Sequence, residues 1–368
     1  MATRRERLAF ITFGMFIIDE IEYLNGKASE QKIIGGAGTY AALGARLAAG
    51  AANALFVSWI VDMGSDFPPE FKAMIDVWRT SCIFRLDTSR LTTTAWNGYG
   101  PNEYRAFKYL TPKLRLDEYS LSDEQALARS FHMVCSPKRC ISLVEGVMAR
   151  RSQVAPNEPR PVFVWEPVPE LCTPEEFDKL QEAARIVDIV SPNADEFASF
   201  FAADSGRSPR QAMVEKFLAL RDTTPLDVAL VVREGAQGCT MYQRAQSLHL
   251  HAFHQSAERV IDPTGGGNTF LGALAIAMTG TASPSENTVT RVLSSSSRPV
   301  DDRLLLAVLH ATVAASYAIE QTGLPLLAGT SADDAWNGEP YQKRFMSFLE
   351  KEKAHIIGQL PGTDTADN

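Results

Sequence analysis

Short apolar runs of strand length alternate along the chain with longer stretches of helical spacing, and this alternation constrains the fold most strongly. The runs are residues 8–18, 54–60, 131–135, 162–165, 186–190 and 228–232. Strands of a parallel sheet are covered by helices on both faces, so they are apolar throughout instead of alternating with polar residues. The pattern predicts an α/β protein with a largely parallel, buried sheet.

Two β-rich runs between residues 92 and 110 interrupt this order. They flank Gly100-Pro101-Asn102-Glu103, whose residue types favour the turn of a hairpin. A hairpin inserted into an α/β pattern is a candidate lid. No linker long enough to separate domains is present, so we expect one domain over 1–368.

The last third of the sequence predicts a loop, a helix and a tail. Residues 281–300 are polar and lack periodicity, which favours a surface loop. A helix is expected to begin at Asp301 and Asp302 and to run to about Gln321, because acidic residues suit a helix N-terminus and Gly323 suits its end. The tail 358–368 is expected to be disordered.

Composition restricts the partners of the chain. Its 368 residues are 45% hydrophobic, which allows a large core, and the net charge of -8 lacks the basic surface of a general nucleic-acid binder. The five cysteines are odd in number and form no C-x-x-C pair, as is typical of reduced thiols in the cytosol. No run reaches the roughly 18 apolar residues of a membrane span. We expect a cytoplasmic protein that binds neither membrane nor nucleic acid.

Three consecutive glycines, Gly265-Gly266-Gly267, separate an apolar strand that ends at Ile261 from a helical pattern that includes Phe270 and Leu274. Backbone without Cβ atoms can approach an anion closely, and a helix N-terminus offers free N–H groups and a positive dipole end. The run therefore predicts a phosphate cradle. A strand, turn and helix without any ligand fit the same residues.

The segment Asp-Pro-Thr-Gly-Gly-Gly-Asn-Thr-Phe-Leu-Gly-Ala at 262–273 resembles the C-terminal signature D-T-x-G-A-G-D-x-F of the PfkB/ribokinase family of carbohydrate kinases. Further segments resemble family motifs in the same order: 14–19 the first strand, 35–38 the Gly-Gly signature, 191–196 the N-x-x-E motif, 233–238 the nucleotide-side turn and 311–323 the adenine-side helix. The resemblance covers residues 8 to 325, and the chain resembles a divergent, fungal-type member.

The resemblance implies a ribokinase-like three-layer α/β/α sandwich with a small β lid formed by about 20–34 and 92–112. It implies ATP and Mg²⁺ as cofactors, with a monovalent cation as a further ligand, a small-molecule substrate, and a homodimer formed through the lid. The implied site residues are Asp19, Gly35, Gly36, Tyr40 and Arg105 for substrate; Asn193, Arg233, Gly235, Gly238 and Thr264 for nucleotide; Glu196 and Asp262 for metal; and Gly265, Gly266, Gly267 and Asn268 for catalysis.

Asn268 departs from the family pattern, which has an aspartate there to accept the proton of the substrate hydroxyl. An amide can orient that hydroxyl but cannot act as a base. Phosphoryl transfer depends chiefly on positioning and charge stabilisation, so a slow kinase is expected before an inactive one. Tyr40 and Ile17 replace polar positions of the family, which argues against ribose as the substrate.

Several of these residues also fit purely structural roles. Asp262 can cap its turn, Asn193 and Glu196 fit an Asn-led capping box, and Arg105 can be a solvated strand residue. His251 and His254 are three residues apart without further ligands at zinc-site spacing, so we expect no zinc.

Three functions fit the sequence. The first is a PfkB-type phosphotransferase that acts on a hydroxyl of a carbohydrate or related small molecule. The second is a nucleotide-binding pseudokinase with a regulatory or scaffolding role. The third is a dinucleotide-dependent oxidoreductase, because Gly35-Gly36-Ala37-Gly38 mimics part of G-x-G-x-x-A, although no acidic residue follows at the required distance.

Overall fold

The computed structural model describes residues 7–23, 29–99, 105–201, 209–219, 227–243, 246–293, 302–329 and 334–359. The strands of these residues are β1 Ile11–Thr12, β2 Ile17–Tyr23, β3 Glu30–Gly35, β4 Ser58–Met63, β5 Ser81–Leu86, β6 Thr94–Tyr99, β7 Arg105–Tyr109, β8 Ser130–Cys135, β9 Val162–Pro167, β10 Ile189–Val190, β11 Ala229–Arg233, β12 Cys239–Gln243, β13 Gln246–Leu250, β14 Leu327–Ala328, β15 Ala335–Trp336 and β16 Glu339–Pro340. The helices are α1 Ala37–Ala49, α2 Pro69–Asp76, α3 Asp123–Ala126, α4 Pro137–Val154, α5 Phe177–Ala184, α6 Ala194–Ser199, α7 Pro209–Leu218, α8 Gly266–Ala277, α9 Glu286–Leu293, α10 Asp302–Ala318 and α11 Tyr341–Gly358.

The central sheet has the strand order β1-β8-β9-β10-β11-β12-β13. Its first five strands are parallel, and β12 and β13 extend it antiparallel. Two separate groups of buried apolar residues cover it: one contains residues of α1, α8, α10 and α11, and the other contains residues of α4 to α7. Helices therefore cover both faces, which confirms the predicted three-layer α/β/α sandwich.

A second sheet, ordered β3-β2-β6-β7, forms the predicted small β lid. β6 and β7 are antiparallel, as expected for the hairpin, and β2 pairs with β3 antiparallel and with β6 in parallel. The predicted turn at 100–103 lies outside the described residues. Both lid segments expected from the family resemblance thus contribute strands to one sheet.

Two apolar runs were assigned the wrong strand boundaries. Residues 8–18 contain parts of two strands, β1 in the central sheet and β2 in the lid, because the chain crosses at Gly14, which packs against the backbone of Gly38. In the run 54–60, residues 51–56 form a 3-10 turn and β4 begins only at Ser58.

The prediction of a loop over 281–300 is partly wrong, because α9 occupies Glu286–Leu293. Val289 and Leu293 are buried on one face of this helix. Two apolar residues are therefore sufficient to pack an otherwise polar helix against the core. Helix α10 begins at Asp302 as predicted, but it ends at Ala318 instead of near Gln321. Residues 294–301 and 360–368 lie outside the described residues.

Helices α1 and α8 pack with their backbones in direct contact. A Cβ atom at Gly44 would overlap the carbonyl oxygen of Thr269, and one at Gly272 would overlap the carbonyl oxygen of Ala41. Only glycine permits helices to approach this closely. The contact fixes the start of α8 relative to the start of α1.

This packing predicts that Gly272→Ala destabilises the protein. Alanine normally stabilises a helix relative to glycine, but here the added methyl group must separate the two backbones, at a cost of about 1–3 kcal/mol in the free energy of unfolding. Urea unfolding measures the change. Gly358→Ala is the matched control, because no atom lies within 4 Å of the position of its Cβ. Equal stability of the two variants would contradict the assigned contact.

Candidate active site

The carboxyl ends of β9, β10 and β11 meet at one edge of the central sheet, where α8 begins. Glu166 lies near the end of β9, Arg233 ends β11, and Asn193 follows β10. Parallel strands place their carboxyl ends at one edge, and ligands of open α/β sheets bind there. The edge is therefore the natural position for a site.

The glycine run forms the turn that leads into α8. Gly265 has a φ of 81°, which is accessible to glycine at little cost, and Gly266 is the first residue of the helix. A Cβ atom at Gly267 would overlap the guanidinium of Arg233. The predicted start of the helix at the glycines is confirmed, and the absence of side chains lets Arg233 lie against it.

Arg233 joins two carboxylates at this edge. Its Nη2 donates to Glu166 Oε1 and to the carbonyl of Ser191 at 3.1 Å, and it lies 3.5 Å from Glu196 Oε2. Burial and the charge of Glu166 raise the pKa of Glu196 to about 7, against the opposing effect of Arg233. Two carboxylates thus share one guanidinium in a partly buried setting.

Several buried polar atoms around this cluster have no hydrogen-bond partner among the described residues. They are Oε2 of Glu166, Nε of Arg233, Oδ1 of Asn268 and Nε2 of His132. Buried polar groups are normally satisfied, because an unmade hydrogen bond costs about 1–3 kcal/mol. A concentration of such groups at one sheet edge indicates a place where a polar ligand completes the bonding.

A cavity of about 450 Å³ opens beside the start of α8. Its lining includes the predicted residues Asn193, Arg233, Gly235, Gly238, Gly266 and Gly267. Apolar residues such as Ala252, Phe253, Val260 and Ile319 form a further wall of the cavity. The structure therefore brings four of the five predicted nucleotide residues to one cavity with an apolar wall, and Thr264 is not among the residues that line it.

The turn between β11 and β12 borders this cavity. Gly235 and Gly238 have φ values of 56° and 98°, and a Cβ atom at Gly238 would overlap the carbonyl oxygen of Leu250. The predicted strand turn at 233–238 is confirmed, and its backbone faces a ligand-sized space.

The residues predicted to contact substrate lie where the lid joins α1. Asp19 is buried in β2, its Oδ1 accepts a hydrogen bond from Asn97 of β6 at 3.1 Å, and its Oδ2 occupies the space that a side chain at Gly35 would fill. Gly36 has a φ of 91° and lies against the carbonyl of Met15. Gly35 thus makes room for the carboxylate of Asp19, and Gly36 lets the chain pass close to the backbone before α1.

Three other predicted site residues, Tyr40, Asp262 and Arg105, lie in different surroundings. The ring of Tyr40 is buried against Gly265, which joins the two parts of the site. Asp262 accepts a hydrogen bond from the backbone of Thr264 at 2.9 Å. It therefore caps its turn, which is the structural role that the sequence offered beside metal binding. Arg105 begins β7, and its side chain lies outside what the structure describes.

The capping box at the start of α6 is also present. The Asn193 side chain accepts from the backbone of Glu196 at 2.8 Å, and the Glu196 carboxylate accepts from the backbone of Asn193 at 2.7 Å. This use is compatible with a ligand, because only Oε2 of Glu196 takes part.

Sequence comparison places this geometry in a family. A sequence profile described as pfkB family carbohydrate kinase matches residues 166–292. An uncharacterized protein of Schizosaccharomyces pombe is 33% identical over 95% of this chain and 96% of its own length. Protein MAK32 of Saccharomyces cerevisiae is 32% identical over 93% of this chain and 92% of its own length. The chain belongs to the pfkB family.

Solved structures agree with the fold of the pfkB family. A ribokinase from Giardia lamblia superposes with a TM-score of 0.64 at 18% identity, over 92% of this chain and 99% of that one. A nucleoside kinase from Methanocaldococcus jannaschii, described as an archaeal member of the ribokinase family, gives 0.56 at 16% identity over 94% and 99%. An E. coli protein in complex with ATP and Mg²⁺ gives 0.59 at 16% identity over 93% and 99%.

Three polar residues of this site were missed by the pfkB resemblance and by the residue patterns. Glu166 and His132 lie in strands that read as apolar runs, and Asn97 lies in the lid hairpin. His132 Nδ1 is 2.9 Å from Thr12 Oγ1, and burial together with the charge of Arg233 lowers its pKa to about 3, so the ring is neutral. Glu166 and His132 could have been found in the sequence, because a polar residue in a strand that is otherwise buried is unusual and often has a function.

The raised pKa of Glu196 predicts a pH-dependent stability. The folded-state pKa of about 7 exceeds the ordinary 4.5, so this carboxyl stabilises the fold below pH 4.5 and loses that contribution as the pH rises through about 7. Between about pH 5 and pH 8, the free energy of unfolding should fall more steeply in the wild type than in Glu196→Gln. Mg²⁺ should reduce the difference, because a cation favours the ionised carboxylate.

Chemical denaturation across this pH range measures the effect. Glu70→Gln, at an exposed position in α2, is the control and should follow the wild type. An unchanged pH profile in Glu196→Gln would contradict the assigned electrostatics.

Proposed function

We propose that the protein is an ATP-dependent, Mg²⁺-requiring phosphotransferase that acts on a hydroxyl group of a carbohydrate or a related small molecule. The observation that carries this proposal is the convergence of unsatisfied buried polar atoms and the cavity at the start of α8. Membership of the pfkB family and the ribokinase-like fold support it.

The cavity suits a nucleotide in both shape and polarity. Its apolar wall can cover a purine base, and its polar end lies at the first turn of α8. The first N–H groups of a helix have no acceptors within the helix, and the dipole favours negative charge there. We therefore assign the transferring phosphate to Gly265–Gly267 and the base to the wall formed in part by Ala252, Phe253 and Ile319.

The carboxylates at the sheet edge fit a hydrated Mg²⁺. Glu196 and the unpartnered Oε2 of Glu166 offer the hard oxygen ligands that this ion prefers. When bound, Mg²⁺ neutralises charge on the phosphates. Arg233, already held by both carboxylates, is positioned to contact phosphate oxygens as well.

The acceptor hydroxyl is assigned to the space between Asp19 and Asn268. Asp19 is held by Asn97 and can accept a hydrogen bond from a substrate hydroxyl. Asn268 Oδ1, which is buried without a partner among the described residues, can accept a hydrogen bond from the reacting hydroxyl and orient it. Because an amide does not accept the proton, catalysis then depends on positioning and charge stabilisation alone, and the rate is low.

The alternative is a nucleotide-binding pseudokinase with a regulatory or scaffolding role. Two observations favour it: Asn268 replaces the family's catalytic aspartate, and the guanidinium of Arg233 is already engaged by Glu166 and Ser191. A homodimer through the lid and a cytoplasmic location remain proposals of the sequence analysis.

Asn268→Asp separates the two functions. The substitution restores a general base, whose contribution is about 10²–10⁴-fold, so a slow kinase should gain at least about 10²-fold in phosphate transfer. The assay combines the affinity for ATP with Mg²⁺ and transfer from ATP to a panel of sugars, nucleosides and polyols. Asn53→Asp, in the 3-10 turn after α1 and outside the lining of the cavity, is the control for an added charge.

Each outcome selects one function. A rate gain in Asn268→Asp, with an unchanged rate in Asn53→Asp, supports the kinase. Tight ATP binding without transfer in either the wild type or Asn268→Asp favours the pseudokinase. No ATP binding in the folded protein would overturn both, and binding of NADH instead would favour an oxidoreductase.

A further inference from the structure

Three histidines that are scattered in the sequence meet where β13 packs against α11. His249 lies in β13, His251 follows its last residue, and His355 lies in α11. Nδ1 of His249 is 3.1 Å from Nε2 of His355, and one nitrogen of each of the three rings lies within 4.8 Å of the others. We call these three residues the histidine cluster. The expectation of no zinc considered only His251 and His254, because sequence spacing does not reveal His355.

Glu352 of α11 and Gln359, the residue directly after this helix, hold the strand and the helix in register around the cluster. Glu352, which is 1% exposed, accepts hydrogen bonds from the backbone N and from Nδ1 of His251, both at 3.1 Å. Gln359 accepts from the backbone N of His249 at 2.8 Å and donates to its carbonyl at 2.9 Å. Residues 352, 355 and 359 share one face of the helix, so the same face that makes these contacts presents His355 to the other two rings.

The hydrogen bonds also determine which ring nitrogens are free to bind a metal. Because a carboxylate only accepts, His251 carries its proton on Nδ1, and Nε2 keeps a lone pair. His249 donates from Nε2 to the carbonyl of Gln237 at 2.8 Å, which leaves the lone pair on Nδ1. That lone pair accepts from Nε2 of His355, and a bound ion would take the place of the shared proton. Metal-binding histidines characteristically donate their second N–H to a carboxylate or carbonyl, which orients the ring.

The charge around the cluster favours a cation as well. The carboxylate of Glu352 adds a negative charge behind His251.

We propose that the histidine cluster binds one divalent transition-metal ion, with Zn²⁺ as the ion that fits best. Imidazole nitrogens suit Zn²⁺, which they bind at about 2.0–2.1 Å. Two nitrogens bound to one such ion at tetrahedral angles are about 3.3 Å apart, so ring rotations that draw the three nitrogens together bring them into one coordination sphere. The side chains of His249 and His251 are 30% and 43% exposed, which leaves the ion open to water or to a further ligand.

The site lies beside the candidate nucleotide cavity without being part of it. Gln237, which accepts from His249, belongs to the turn whose Gly235 and Gly238 line the cavity. A bound ion therefore joins α11, β13 and, through His249, this turn. The proposal does not depend on kinase activity, and its test does not measure activity.

The test has two parts. The zinc content of the full chain is measured as purified, and its affinity for added Zn²⁺ is measured after a chelator has removed the metal. We expect about one Zn²⁺ per chain in the wild type, as for other three-histidine sites, and loss of this ion in His355→Gln. His254→Gln is the matched control, because this histidine bonds to Glu320 and lies outside the cluster. Glu352→Gln, which removes only the orienting charge, should weaken binding by about 10–100-fold.

Two further measurements keep the result interpretable. Circular dichroism identifies a variant that fails to fold, in which case His251→Gln replaces His355→Gln and must give the same loss. Co²⁺ should give the visible absorption of a tetrahedral site in the wild type and in His254→Gln only. Zinc retained equally by all variants, or absent from the folded wild type, would overturn the proposal.

Discussion

Direct contact between the backbones of α1 and α8, which is possible because Gly44 and Gly272 lack side chains, sets the geometry on which the candidate site depends. Helix α1 begins just after Gly35 and Gly36, beside the buried Asp19, and α8 begins at the glycine turn. A rigid contact between the two helices therefore fixes the distance from the substrate side to the phosphate side. The ring of Tyr40 against Gly265 adds a second contact between these two parts. For the proposed phosphotransferase, this packing would be a functional constraint as well as a structural one, because phosphoryl transfer depends on positioning.

The electrostatics of the sheet edge follow from the same architecture. Parallel strands bring Glu166 and Arg233 to one edge, the capping box of α6 places Glu196 beside them, and the missing side chain of Gly267 admits the guanidinium. The structure leaves polar atoms of Glu166, Arg233 and Asn268 without partners among the described residues. Such groups are costly unless something binds them. These unpartnered atoms are the reason for proposing a charged ligand at this edge, and the amide of Asn268 is the reason for proposing a slow reaction there.

Local patterns in the sequence were sufficient to predict the layers of the fold and the glycine turn. Buried parallel strands appear as short apolar runs, and the start of α8 appears as glycines followed by a helical pattern. Local patterns failed where a tertiary contact decides the outcome. The run 8–18 is split between two sheets because the backbones of Gly14 and Gly38 cross, and α9 is a helix because Val289 and Leu293 anchor it to the core. Glu166 was hidden inside an apolar strand. The histidine cluster was hidden by distance, since 106 residues separate His249 from His355.

A crystal structure of the protein with Mg²⁺ and a non-hydrolysable ATP analogue tests the central claim most directly. The account predicts that the base lies against the wall formed by Phe253 and Ile319, with the terminal phosphate over Gly265–Gly267 and the metal beside Glu166 and Glu196. A nucleotide bound elsewhere on the protein, or a cavity that remains empty at saturating nucleotide, would contradict it.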